Sequence, residues 1–215
     1  MTTQSTESTI PPGWIHRANG EPAPDLDLAV LLLNSLDLLE EPPDRLVSVS
    51  WYADVLRAAG HAELAAGLTE NDLEPLRELR ALLRLVFTAD TVDEAAAILN
   101  PLLIAHKAIP VLVSDDPQGP VLRVAPAATG FPALAARLPA AAAAQIAESE
   151  LRRLGTCAGT PCECAFVDRS RSGNRRYCCD WCNDRAAAAA YRKRRRESLN
   201  HGSEAASARA SAAPA

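Results

Sequence analysis

At 215 residues the chain is long enough for one hydrophobic core and a small additional module. Its most apolar run, Leu28–Leu33, lies between Asp27 and Asn34 and is far too short to cross a bilayer. The opening residues lack the apolar stretch of a secretory signal, so membrane and secreted classes are set aside and a cytoplasmic chain is expected.

The net charge of −5 conceals a division. Residues 151–196 hold twelve Lys/Arg against four Asp/Glu, a net +8, while the remainder holds ten against twenty-three, a net −13. A basic module on an acidic body is the pattern of a chain that meets a polyanion at one end.

Residues 1–20 are polar and read as disordered. The continuous apolar run over Asp25–Leu36 suits a buried strand or the start of a short helix, and its periodicity leaves both open. Pro42-Pro43 breaks the chain. Ser50–Ala59 reads as a short amphipathic helix, with Ser50 as N-cap and Gly60 as stop. Asp72–Thr88 is the clearest helix: Leu76, Leu79, Leu83 and Val86 recur at helical spacing, and Arg77, Arg80 and Arg84 read as a solvated face.

Thr91–His106 forms another helix, kinked or divided at Pro101. Val111–Val113 and Val121–Val124 flank the turn-rich SDDPQGP as a hairpin. Phe131–Leu154 is alanine-rich and helical in two pieces split at Pro139. The order strand, helices, hairpin, helix gives an α+β body over residues 21–150. Residues 200–215 are rich in Ala and Ser and read as a disordered tail.

The body carries little catalytic chemistry. His16, His61 and His106 stand far apart without neighbouring cysteines or paired carboxylates, and there is no Gly-rich phosphate loop or nucleophile elbow. No enzyme is expected here. Asn34-Ser35, the polar pair closing the apolar run, reads either as a turn or helix cap or as a contact in a ligand pocket; the cap is the simpler reading.

All six cysteines fall between Cys157 and Cys182, in two clusters about twenty residues apart. Two such clusters supply the four thiolates of a tetrahedral zinc site, and a reducing compartment favours metal over disulfides. Cys157 and Cys162 are separated by four residues, and Cys164 follows. Cys178 and Cys179 are adjacent, and spacing alone slightly favours Cys179 with Cys182. Ala165–Asp168 reads as a strand, RSRSGN as a turn and RRYC as the returning strand. The second cysteine cluster then opens a helix, a treble-clef-like arrangement over residues 151–199.

These residues resemble the CGNR-type zinc finger. The matching pieces are Cys157/Cys162, Phe166-Val167-Asp168-Arg169-Ser170, Arg175-Arg176-Tyr177-Cys178 and Cys182-Asn183-Asp184-Arg185. The naming motif reads CNDR here, and three residues separate Cys178 from Cys182 where many members have four. The body is similar to the ABATE domain, a stress-response regulatory domain. Asn34-Ser35 stands where that family has Asn-Thr, followed by a Trp51 helix, the helix Leu76–Leu83 and a later hairpin.

The resemblance implies one structural zinc held by Cys157, Cys162, Cys178 and Cys182, with Cys164 and Cys179 spare. It also implies a transcription regulator that binds double-stranded DNA. The charge pattern assigns that contact to Arg175, Arg176, Arg185, Arg192, Lys193 and Arg196. Four thiolates leave no open position for a catalytic water. The alternative is a zinc-stabilised module that docks on an acidic protein, and a small-molecule effector of the body is a further candidate partner.

Overall fold

Helix α1 (Asp25–Leu33) is shielded from solvent along nearly its whole length, with every residue from Leu26 to Leu33 buried, Asp27 included. The structure, a computed structural model, describes residues 22–114, 119–125 and 129–211, with the side chains of the last helix as far as Arg196. The expected disorder of residues 1–20 lies outside these residues. The run read as the first strand is thus a helix. Periodicity cannot separate the two in so short a segment; composition can, since five leucines and Ala29 favour a helix and only Val30 is β-branched.

Helix α2 (Val49–Ala58) packs beside it and hydrogen-bonds the fully buried Tyr52 hydroxyl to the Leu28 carbonyl at 3.0 Å. The helix starts after Ser48, two residues ahead of the expected cap, and the Ser50 hydroxyl meets that of Ser48 at 2.7 Å. It ends just ahead of Gly60, whose φ of +89° breaks the helix as expected. A short helix α3 (Ala62–Ala66) follows. Its N-cap His61 is buried with Nε2 2.7 Å from the Ala23 carbonyl, a structural histidine.

Helix α4 (Leu73–Phe87) buries Leu76, Leu79, Leu83 and Val86, the stripe its spacing predicts. Its arginines do not form a solvated face. Arg80 is 9% exposed and donates to both carboxylate oxygens of Asp44 and to the Ser35 hydroxyl, each at 2.7 Å. Arg77 donates twice to the Leu46 carbonyl, at 3.1 and 2.8 Å. Arg84 donates to Leu33 O at 3.0 Å, a shorter bond than the 3.4 Å one this last α1 carbonyl accepts from the Leu36 amide. Long aliphatic stems carry these charges across apolar surface to the acceptors, so charge alone did not reveal their burial.

Helix α5 (Val92–Ala105) is capped by Thr91, whose hydroxyl accepts from the Glu94 amide at 3.2 Å, and it runs through Pro101 unbroken. Strands β1 (Ile109–Val113) and β2 (Val121–Ala125) form the expected antiparallel hairpin, with Ile109 opposite Ala125 and Val113 opposite Val121. Residues 115–118 of its turn lie outside the described residues.

Helix α6 (Gly130–Glu148) is one helix, not two, and passes through a buried Pro139. An internal proline costs about 3 kcal/mol, which the burial of Leu134, Leu138 and their alanine neighbours against α1, α3, α4 and α5 offsets at roughly 1.5–3 kcal/mol for each large side chain.

The C-terminal module begins with a 3-10 turn at Leu151–Arg153. Strands β3 (Leu154–Thr156) and β4 (Ala165–Val167) follow, paired antiparallel with Leu154 opposite Val167. This corrects the expected hairpin: β4 pairs with the segment before the first cysteine, and Arg175–Cys178 is not a strand. Leu154, Ala165 and Val167 join the same hydrophobic core as α1 and α4, so body and module share one interior. Helix α7 (Asp180–Ser211) then leaves the module. It continues past Leu199, where the sequence reading places a disordered tail, through an alanine-rich stretch with high helix propensity. Residues 212–215 lie outside the described residues.

Where α6 begins, two backbones touch. Gly130 has φ +65°, and a Cβ there would lie 2.4 Å from the Gly67 carbonyl oxygen. Gly130→Ala combines a left-handed φ with a backbone clash, and is expected to lower stability by about 2–4 kcal/mol in denaturant unfolding.

The Arg80–Asp44 pair has a pH signature. Arg80 hydrogen bonding holds the Asp44 carboxyl below its ordinary value. A group depressed in the folded state contributes stability above its unfolded value, near pH 4, and loses it as pH falls through the native one. Asp44→Asn should melt lower than the parent at neutral pH, and the gap should narrow between about pH 5 and pH 3.

Candidate metal centre

The sheet of the module sets the first pair of sulfurs. The ladder of β3 and β4 continues into the loop, where the Cys157 amide donates to the Cys164 carbonyl at 2.9 Å and the Cys162 amide to the Gly159 carbonyl at 2.6 Å. That tight loop turns Cys157 and Cys162 to the same side. The second pair comes from the chain before α7 and from its first turn, as Cys178 and Cys182. The four Sγ atoms all lie within 4.8 Å of one another and all four residues are buried.

The distances match a tetrahedral ion. Zinc–sulfur bonds of about 2.3 Å place tetrahedral sulfurs roughly 3.8 Å apart. Cys162 to Cys178 is 3.7 Å and Cys178 to Cys182 is 3.8 Å. The quartet is the set that family position implies, with Cys178 in place of the Cys179 that spacing alone slightly favours. Cys179 Sγ is also 3.8 Å from Cys178 Sγ, but it is half-buried and outside the mutual quartet. Cys164 is buried beside the quartet and outside it too.

The electrostatics call for a cation. Burial and the neighbouring sulfurs push the Cys182 thiol up to about 12. Burial raises Cys162 further, and Cys178 is raised by its contact with Cys164 and by burial. Cys157 is the exception: burial pushes it up, but backbone amides of Cys178 and Gly159 directed at its sulfur bring it below an ordinary thiol. The Cys178 amide lies 3.4 Å from that sulfur. Four thiolates at these separations are stable only with a divalent cation among them, and an all-sulfur, closed, tetrahedral set selects one structural zinc.

Around the sulfurs the backbone is tied down by named side chains. Asp168, 1% exposed, accepts from the amides of Ser170 at 2.8 Å and Arg175 at 2.7 Å, closing the loop that returns to Cys178. Burial raises its carboxyl and these donors lower it, with a net depression. Gly173 turns this loop at φ +58°, and its carbonyl accepts from Arg152 at 2.7 Å.

The residues expected to meet nucleic acid fall into two groups. Arg175 donates to the carbonyls of Tyr177, at 2.7 Å, and of Cys178, and lies over the Phe166 ring. Arg185 donates to the Gly159 carbonyl at 2.9 Å and lies 4.5 Å over the Trp181 ring. It thus braces the first knuckle, where the motif position alone did not say what it touches. Arg176 stacks over Tyr177. Arg192, Lys193 and Arg196 are exposed on α7, roughly 15 Å or more along the helix from Cys182.

The sequence reading missed how the body holds this centre. Asn34 makes a two-point bond to β4: its Nδ2 donates to the Ala165 carbonyl at 3.0 Å, and its Oδ1 accepts from the Ala165 amide at 2.7 Å. Arg84 donates to the Glu163 carbonyl at 2.9 Å, and Arg169 pairs with the buried Asp27. Asn34-Ser35 is the helix cap of the simpler reading, with Asn34 as C-cap of α1 and the Ser35 hydroxyl donating to the Leu32 carbonyl at 2.7 Å, and the Asn34 side chain adds the tie to β4. The available signal was polarity out of place, since Asp27 and Asn34 interrupt and close an apolar run.

Replacing Cys182 with Ser should release the metal and unfold the module, whose folding draws about 10–16 kcal/mol from a structural zinc. Cys164→Ser and Cys179→Ser should each keep one zinc per chain. Metal analysis of the three purified variants, with circular dichroism of each, checks both halves of this expectation.

Family profiles match the chain in the same order as its two parts. The ABATE profile, described as a putative stress-induced transcription regulator, matches residues 26–150, and the CGNR zinc finger profile matches residues 153–195. No curated protein matches the chain.

Proposed function

We propose a function from one premise: this chain belongs to the ABATE family, the putative stress-induced transcription regulators, and it carries a CGNR zinc finger. It is a DNA-binding regulator in which the zinc centre sets the root of α7 and α7 meets the duplex. One observation carries this reading. From Ala187 to Arg196 every residue of α7 is exposed, and five successive cations, Arg192 to Arg196, stand at its middle.

The geometry supports a division of labour. Helix α7 has 32 residues, about 48 Å, long enough to cross a groove and its flanking phosphates. Ala186–Ala190 keep it slim at the point where it would enter a major groove about 12 Å wide. Arg192 and Arg196 lie close to one helical face, with Lys193 beside them. Those three make the principal contacts, and Arg176 supports them from the loop. Arg175 and Arg185 act first on the scaffold through the carbonyls they hold, and only their remaining donors reach the phosphates.

The acidic body regulates and does not catalyse. Polar groups noted in the sequence are absorbed into structure: His61 and Asn34 are bonded to backbone and Arg80 to Asp44. Among the described residues no helix is long and apolar enough to cross a membrane.

Selection of bound sequences from a random duplex pool by the zinc-loaded chain tests the proposal. A phosphate-contacting residue such as Lys193, replaced by Gln, should weaken all sequences alike and lower the salt slope by about one. Arg192→Ala or Arg196→Ala at a base-reading position should cost about 1–3 kcal/mol and relax preference at one base pair. Arg185→Ala should lower module stability together with binding. No enrichment, with binding no tighter than that of a charge-matched peptide, would move the assignment to the protein-docking alternative.

A further inference from the structure

We propose that the zinc centre and the α1–α4 face of the body are one cooperative unit, with Asn34 as the positioning residue that couples them. Zinc occupancy is then felt in the body, and a change in the body is felt as zinc retention. This goes beyond DNA recognition and does not rest on it.

Three contacts carry the inference, and all converge on one short stretch of the module. Asn34 pairs with both backbone groups of Ala165, at 2.7 and 3.0 Å, as the edge of another strand would. Ala165 follows Cys164 directly and lies three residues after the ligand Cys162. Arg84 donates to the carbonyl of Glu163, between those two cysteines, and with the same guanidinium to Leu33 at the end of α1. Arg169, just past β4, pairs with Asp27, whose side chain is 1% exposed. The segment 162–169 is thus held at its start, middle and end by residues of α1, its C-cap and α4.

The physical consequence runs both ways. Zinc ligation fixes Cys162 and the sheet that follows it, and so presents Ala165 to Asn34 at bonding distance. Without the metal the loop is no longer closed. The buried Asn34 amide would then lose two backbone partners, and Asp27 would lose the partner Arg169 supplies. Buried polar groups are costly when their partners leave, so α1 loosens at its C-terminal end. By linkage the reverse holds with the same free energy: a displacement of α1 against α4 weakens the hold on zinc. Partners of metal ligands typically change affinity 10–100-fold when removed. Asn34 acts through the backbone rather than on a sulfur, which places it at the lower end of that range, about tenfold.

The shared interior makes the route specific. Leu154, Ala165 and Val167 pack in the core with α1 and α4, while the β1–β2 hairpin sits away from the module and leaves Leu112 and Leu122 largely exposed. A metal-dependent change should therefore appear in α1 and mid-α4 and leave the hairpin alone.

Hydrogen exchange of the full chain, zinc-loaded and after chelation, tests this without any substitution. Residues 25–34 and the turn of α4 around Arg84 should lose protection when zinc is removed, and the strands Ile109–Val113 and Val121–Ala125 should keep theirs. Unchanged protection of residues 25–34 in the metal-free chain would overturn the proposal, and so would an equal loss across the hairpin. As the second arm, zinc transfer to a chelator should be about tenfold faster from Asn34→Ala than from the parent. It should stay at the parent rate in Leu99→Ala, which destabilises the body away from the module. Equal rates in the parent and Asn34→Ala, or equal acceleration by Leu99→Ala, would remove Asn34 from the positioning role.

Discussion

Mutual repulsion among four buried sulfurs is the constraint on which the C-terminal module of this protein depends. Cys157, Cys162, Cys178 and Cys182 come from a hairpin loop, an irregular return and the first turn of a helix; backbone ties such as the Ala158 amide to the Arg176 carbonyl at 2.9 Å bring the pieces together, and a shared cation is what lets four thiolates sit within 4.8 Å. The direction of α7 follows, because Cys182 is in its first turn and Arg185, one turn later, grips the carbonyl of Gly159 in the opposite knuckle. From Ala187 to Arg196 every residue of α7 is exposed, so the direction of the helix is set at its root. Its aim is inherited from the metal.

The body solves a different problem. Helix α1 is buried all round, yet it must end, and its terminal carbonyls and its one inward carboxylate need partners in a place water does not reach. Arg84 donates to the Leu33 carbonyl and Arg169 pairs with the Asp27 carboxylate, while Asn34, the cap of the helix, bonds Ala165; all three reach across to the C-terminal module or come from it. The same contacts that finish a helix therefore join the two parts. The division of charge seen in the sequence, acidic body and basic module, is reflected at this seam by the pairing of Asp27 with Arg169.

Much of this was legible in the residues. The helices around Leu76–Val86 and Thr91–His106, the β1–β2 hairpin and the helix after the cysteines follow from spacing, and the cysteine quartet from the family resemblance. What escaped has physical reasons. A nine-residue apolar run has no period to read, so α1 passed for a strand. Pro101 and Pro139 looked like breaks because local preference cannot weigh the burial that carries a helix through them. Arg80 and Arg84 looked solvated because a helical wheel shows which face is charged, not whether an acceptor waits there. Ala165–Asp168 was paired with the wrong segment because its true partner, Leu154–Thr156, is only three residues long and carries no strand signal of its own.

The pairing of Asp27 with Arg169 spans 142 residues, and this separation has a meaning for synthesis on the ribosome. The most apolar helix of the protein is the first described element to emerge, while its neighbours α6, β4 and Arg169 come far later. At roughly 5–20 residues per second the delay is about 7–30 seconds. During that interval α1 has made its own backbone bonds but not its interior. The first of the described elements to be translated is thus among the last completed, and the nascent chain stays committed to unfinished folding until the module that takes the zinc has left the tunnel.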